Sequence, residues 1–163
     1  MDKTNAARLL DARGIPYRVS VYDADRTFHS AEEAAMLLGV PAAQVYKTLV
    51  VLHEPPRPGR ALLVMVPAHR QVDLKLLARE VGEKKLRMAS QREAERLTGL
   101  QVGGISALAL RKGGFTVLLD ASARALPRIH VSAGVRGMDL ELRVEDLVAV
   151  TGARMVGAVA EEP

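Results

Sequence analysis

A chain of 163 residues with 48% hydrophobic residues suits one domain with a real core, and with aromatics at only 3% and no Trp that core must be Leu, Val, Ala and Ile. The absence of Cys excludes disulfides, thiolate metal sites and a cysteine nucleophile. A net charge of +4, from 23 Lys and Arg against 19 Asp and Glu, permits a phosphate-rich partner without demanding one. With no basic-then-apolar leader and no apolar run of roughly 18 residues, a soluble, cytoplasmic protein is expected, with no membrane partner.

Residues 4–13 predict a short helix, with Ala7, Leu9 and Leu10 apolar and Gly14 as its stop. Residues 15–22 alternate and predict a strand, and 23–27 a charged loop. Ser30 and Glu33 have the spacing of a capping box ahead of Ala34, Ala35, Leu37 and Leu38, so His29 sits just before a helix N-terminus. After a turn at 41–44, residues 45–52 are β-branched and apolar enough for a central strand. The Pro-rich stretch from Glu54 to Gly59 is a hairpin-like loop, and 61–66 a second buried strand. Asp73 caps a helix ended by Gly82, a short strand is predicted at 86–88, and Ser90 with Glu93 repeats the capping box for a helix closed by Gly99. A glycine-rich stretch at 101–107 precedes strands at 115–119 and 128–132. A turn with Gly134, Arg136 and Gly137 then leads into a strand at 138–142, a helix through Leu147 and a last strand within 154–159. Strands and helices mix without strict βαβ alternation, which predicts a single α+β domain over 1–163, built on a mixed β-sheet with flanking helices.

Lys47 stands out. Side chains alternate across a strand, so it shares a face with Val45, Leu49 and Val51, while Tyr46, Thr48, Val50 and Leu52 occupy the other. Neither face is plainly wet, and desolvating an ammonium costs several kcal/mol unless it is paired or opens onto a cleft. Two readings fit: an edge-strand or snorkelling lysine, or one at the mouth of a pocket that binds an anion or polarises a carbonyl.

Other chemistry is sparse. His29, His53, His69 and His130 lie far apart without metal-ligand spacing, so surface or cleft-lining histidines are expected, and neither metal nor cofactor. No nucleophile elbow, phosphate loop or dinucleotide fingerprint is present. Gly103-Gly104 fits a plain turn, or a run of exposed N–H groups able to hold an oxyanion. Lys84, Lys85, Arg87, Arg92, Arg96, Arg111 and Lys112 form a basic run that reads as a solvated face or as a nucleic-acid path.

Several separated motifs, in order, carry a resemblance. They are Val45-Tyr46-Lys47-Thr48-Leu49, Leu74-Lys75 after Gln71-Val72-Asp73, Thr98-Gly99, Val102-Gly103-Gly104-Ile105-Ser106, and Val131-Ser132 followed by Arg136-Gly137. With the helix of residues 30–39 before the lysine strand, they make the chain similar across nearly its whole length to the YbaK / prolyl-tRNA synthetase-associated editing-domain family. The resemblance implies a YbaK-like fold and a trans-acting aminoacyl-tRNA deacylase, commonly acting on tRNA for proline that carries cysteine or alanine. It implies that Lys47 is the essential residue, beside the ester and the terminal adenosine. It also implies that Gly103, Gly104, Ile105 and Ser106 line the aminoacyl pocket with Tyr22, Phe28, Thr48 and Ser132. In cysteine-specific members the substrate's own thiol is thought to attack its ester, which agrees with the missing nucleophile.

The chain departs from the family by carrying Ala107, Ala109 and Ala133 where Pro, Gly and Gly are common, which predicts a differently shaped pocket wall. The partners so implied are the aminoacylated 3′ end of tRNA and prolyl-tRNA synthetase. Alternatives to the enzyme are a binding module for a tRNA end or an aminoacylated ligand, and a docking partner of the synthetase.

Overall fold

The computed structural model describes residues 3–57, 60–110 and 113–160. Gly59 of the Pro-rich loop and Arg111 and Lys112 of the basic run therefore lie outside the described residues.

Helix starts follow the capping side chains. Thr4 accepts from the Ala7 N–H to open α1 (Asn5–Ala12), Ser30 and Glu33 form a reciprocal box on α2 (Ala31–Leu38), Asp73 accepts from Leu76 to open α3 (Leu74–Val81), and Ser90 with Glu93 boxes α4 (Gln91–Thr98). The last helix, α5 (Val144–Thr151), lacks a side-chain cap but carries Glu145 and Asp146 in its first turn, where the helix dipole favours them. It runs past the expected stop at Leu147 to the left-handed Gly152.

The strands are β1 (Arg18–Val21), β2 (Tyr46–His53), β3 (Leu62–Pro67), β4 (Leu86–Met88), β5 (Thr116–Asp120), β6 (Arg128–Ser132), β7 (Met138–Arg143) and β8 (Arg154–Val156). β1 is shorter than the alternation of 15–22 suggests. Pro16 cannot donate to a ladder, and the Ile15 N–H turns back to the Leu10 carbonyl at 2.9 Å to close α1. At the other end of the chain only 154–156 form a strand, and Val159 makes a lone bridge to Val72.

The β-structure divides in two. Five strands take the order β4-β2-β3-β5-β8, antiparallel around β2 and parallel from β3 to β8; three antiparallel strands take the order β1-β7-β6. The sheets meet where Val45, entering β2, bridges His130 of β6. Period-two alternation explains why β2 and β3 read as apolar throughout. On one side Tyr46, Val50, Leu63 and Met65 join Ile129, Leu140 and Leu147 in the larger core; on the other Val51, Leu62, Val64 and Val66 pack with Leu77 of α3. Among the described residues no helix is long and apolar enough to cross a membrane.

A polar chain crosses this core. Tyr46 Oη lies 2.7 Å from Ser122 Oγ, Ser122 donates to Asp120 through its N–H and its hydroxyl, and the Ala158 N–H donates to the other Asp120 oxygen at 2.8 Å. It ties β2, β5 and the segment after β8 together. Tyr46→Phe is expected to cost about 1 kcal/mol, read as a melting temperature lower by roughly 2–4 °C. Asp120→Ala should cost more, because it strands the Ser122 and Ala158 donors in a site where Asp120 is only 3% exposed.

Candidate active site

Lys47 is not on a free edge. Its strand lies inside the sheet order, paired with Val66 of β3 on one side and preceded by the Val45–His130 bridge on the other. At this level α2 covers the sheet, with Ala35 packed on Val45 and Ala68. Between them opens a cleft of ≈ 290 Å³. The partly buried ammonium lines it, and its Nζ donates to the Ala68 carbonyl at 3.3 Å. Burial pulls the Lys47 pKa below that of an ordinary lysine, against the opposing pull of the Glu32 carboxylate, which lines the same cleft.

Tyr22, Phe28, Thr48, Gly103, Ile105 and Ser132 also line the cleft, brought from four separate segments. The Thr48 hydroxyl is buried and has no hydrogen-bond partner among the described residues, so it can serve a ligand. Gly104 and Ser106 are not among the lining residues. The Gly104 N–H is engaged by the Gln101 carbonyl at 2.8 Å, and a Cβ there would sit 2.8 Å from Arg136 N and 2.9 Å from the Val135 carbonyl carbon. Gly104 is therefore bare to admit the 135–136 backbone, not the substrate, and its N–H is not a spare oxyanion donor. Ser106 is only 1% exposed and leads into a single 3-10 turn, Ala107–Ala109. Ala107, Ala109 and Ala133 lie in or against the larger core rather than on the cleft, so they do not form its wall.

Asp139 is the residue that sequence reasoning missed. In Met138-Asp139-Leu140-Glu141-Leu142 the alternation reads as an ordinary strand with a wet face, and Met138, Leu140 and Leu142 do enter the core. The opposite face is covered at its start, so Asp139 lines the cleft at 5% exposure. Burial pushes its carboxyl up to about 6. The signal that singled out Lys47, a charge in a strand with no plainly wet face, is absent here, because Glu141 shares the Asp139 face.

The loop before α2 is fixed by its own polar cluster. Asp23 accepts from the Thr27 hydroxyl and meets His29 Nε2 at 2.8 Å, and the His29 ring packs edge-on against Tyr22 with centroids 6.0 Å apart. The bonds from Thr27 and His29 hold the Asp23 carboxyl down at about 2, and Asp23 in turn raises His29. Of the other histidines, His53 and His130 are buried rather than at the surface or in the cleft, facing Glu83 at 3.5 Å and Glu141 at 3.1 Å. The basic run is partly neutralised within the chain: Arg87 makes a two-pronged pair with Glu93 at 2.8 Å and Lys85 approaches Glu54 at 3.8 Å.

The buried Asp139 carries a pH signature. Its folded-state value of about 6 exceeds the ordinary 3.8, so the folded state holds a proton that the unfolded chain has released. Stability from this group is complete below pH 3.8 and is lost as pH rises toward about 6, by roughly 3 kcal/mol in all. Asp139→Asn is expected to melt several degrees above the parent at pH 8 and close to it at pH 4; a difference independent of pH would contradict this.

The model of the aminoacyl-tRNA editing domain family matches residues 25–150. Over 160 residues the chain is 32% identical to EbsC of Enterococcus faecalis, provisionally named a Cys-tRNA(Pro)/Cys-tRNA(Cys) deacylase, covering 98% of this chain and 95% of that one. A crystal structure described provisionally as a trans-editing enzyme for prolyl-tRNA synthetase aligns with a TM-score of 0.76 at 27% identity, covering 99% of this chain and 100% of the other. Another, described only as a hypothetical protein, aligns with a TM-score of 0.83 at 25% identity over 96% and 99% of the two chains. With matched residues running from the loop before α2 to the end of α5, the chain belongs to the aminoacyl-tRNA editing domain family.

Proposed function

We propose that this protein is a trans-acting deacylase that hydrolyses the ester of a mischarged aminoacyl-tRNA, with a small amino acid such as cysteine on tRNA for proline as substrate. The observation that carries this reading is the Lys47 ammonium, part-desolvated on the wall of a small cleft and held there by one backbone carbonyl. A fixed positive charge with little surrounding water stabilises negative charge developing on an ester carbonyl oxygen. The attacking group adds to the carbonyl carbon and gives up its proton, the carbonyl electrons move onto oxygen beside Lys47, and the intermediate collapses by breaking the bond to the ribose oxygen, which takes up that proton; with a thiol attacker, water then opens the cyclic thioester so formed. The attacker is water or, for cysteine, the substrate thiol.

The partner is the aminoacylated end of tRNA, which implies action in the cytoplasm. The solved structure described provisionally as a trans-editing enzyme for prolyl-tRNA synthetase supports that synthetase as a second partner. The chain, 1–163, acts as one editing domain.

Lys47→Ala should reduce deacylation about 100-fold or more while leaving the melting temperature unchanged or raised, since it removes a charge that burial disfavours. Full activity on labelled mischarged tRNA, or a collapsed melt, would refute this role. Cys-, Ser- and Ala-charged tRNA for proline distinguish the attacker. Thiol attack spares Ser-tRNA, whereas water attack leaves the three within the roughly 10–200-fold that a pocket achieves per methylene.

Affinity for tRNA should fall gently with salt, because the ion pairs of Arg87 and Lys85 remove cations from the phosphate count. A slope of log affinity against log salt shallower than about −4 is expected, at −0.7 to −0.9 per phosphate.

A further inference from the structure

The cleft holds a buried carboxylate that the deacylation step does not use. Asp139 is 5% exposed and lines the cleft, and burial alone sets its pKa: among the described residues no hydrogen bond or cation pulls it back down. Its register partners on the two neighbouring strands are serines, Ser20 on β1 and Ser132 on β6, and the Ser132 hydroxyl accepts from the Gly134 N–H at 3.1 Å. The next carboxylate on that face, Glu141, has His130 Nε2 at 3.1 Å. Glu32, the other carboxylate of the cleft, is exposed and attracts Lys47. Asp139 does not act on Lys47, whose pKa answers to burial and then to Glu32. Its charge is felt instead by Tyr22, whose hydroxyl is raised by burial and then by Asp139.

The cleft thus carries two buried groups of opposite charge that do not neutralise each other. An ionised carboxylate buried without a partner is disfavoured, so a cation entering the cleft is drawn to Asp139. An aminoacyl ester brings one. Its α-carbon bears an ammonium on one side and the ester carbonyl on the other. A substrate whose carbonyl oxygen lies at Lys47 therefore places its ammonium a few bonds away, inside the same ≈ 290 Å³. Hydrogen bonds between an ammonium and a carboxylate are shorter and stronger than those between neutral groups. Once the nitrogen is acylated, as in a peptidyl or formylated ester, it is a neutral amide that cannot compensate Asp139, and its added bulk competes for the same small space.

We propose that Asp139 receives the α-ammonium of the substrate, so that the protein cleaves aminoacyl esters with a free amino group and spares peptidyl and other N-acylated esters. This assignment rests on the deacylase reading above, and its test separates the two. Two non-hydrolysable amides of adenosine serve as probes: the 3′-alanylamido compound, which carries the ammonium, and the 3′-propionylamido compound, which lacks only that group. At about pH 7 the amine is largely protonated and Asp139 largely ionised. By calorimetry the alanyl ligand should then bind on the order of ten- to a hundredfold more tightly than the propionyl ligand. In Asp139→Asn the alanyl ligand should lose that advantage, while the propionyl ligand binds as before.

In turnover, Cys-charged tRNA for proline should be cleaved with a kcat/KM at least about a hundredfold above that of its N-acetylated form. Asp139→Asn should narrow the gap to within about tenfold, by losing activity on the free-amine substrate; a merely structural role would lower both alike. Equal binding of the two amides by the wild type, or an Asp139→Asn variant that weakens both alike, overturns the proposal. Preference for the alanyl ligand in a chain that cleaves no mischarged tRNA upholds the ammonium site and refutes the deacylase. Cleavage of the free and N-acetylated substrates at equal rates refutes the ammonium site and upholds the deacylase.

Discussion

Lys47 brings an ammonium into a strand that is apolar on both faces, and the surroundings must offset several kcal/mol of lost hydration. The chain meets this cost only in part. One carbonyl, from Ala68, accepts from the ammonium at 3.3 Å, and the Glu32 carboxylate attracts it across the cleft. The remaining polar demand faces an opening and is left for a ligand. The interior position of β2 makes this possible, because a lysine on an open edge would simply extend into water. The buried Asp139 stands in the same cleft under the same constraint, since burial favours its neutral form as well.

The glycine pair shows how a single motif divides its labour. Gly103 has a left-handed φ and faces the Phe28 ring, so it belongs to the cleft. Gly104 faces away and makes room for the backbone of 135–136. The glycine loop and the Arg136-Gly137 turn are therefore one interlocked unit. Gly137 extends it, since a Cβ there would meet the Asp23 carbonyl oxygen at 2.0 Å. Asp23 holds His29, so the turn after β6, the loop before α2 and the glycine loop depend on one another.

Much of the architecture was legible because it rests on local chemistry. Ser30, Asp73 and Ser90 marked helix starts through side-chain bonds to the first turn, and these bonds form. The doubly apolar reading of 45–52 announced a strand buried on both faces. The basic run was less legible: whether Arg87 meets a phosphate or Glu93 depends on how β4 turns into α4. Burial of His53 and His130 was likewise invisible, because each side chain is covered by elements distant in sequence.

From the sequence alone, the order of helices and strands, the anomaly of Lys47 and the ordered motifs of an editing domain could be established, since each depends on residues a few positions apart or on an ordered pattern. Only the tertiary structure decided that two sheets meet at Val45–His130, that Asp139 faces the cleft rather than water, and that Gly104 serves Arg136 rather than substrate. The physical reason is common to all three. Alternation tells which residues share a face, but what covers that face is set by packing between segments tens of residues apart, and no local pattern encodes it.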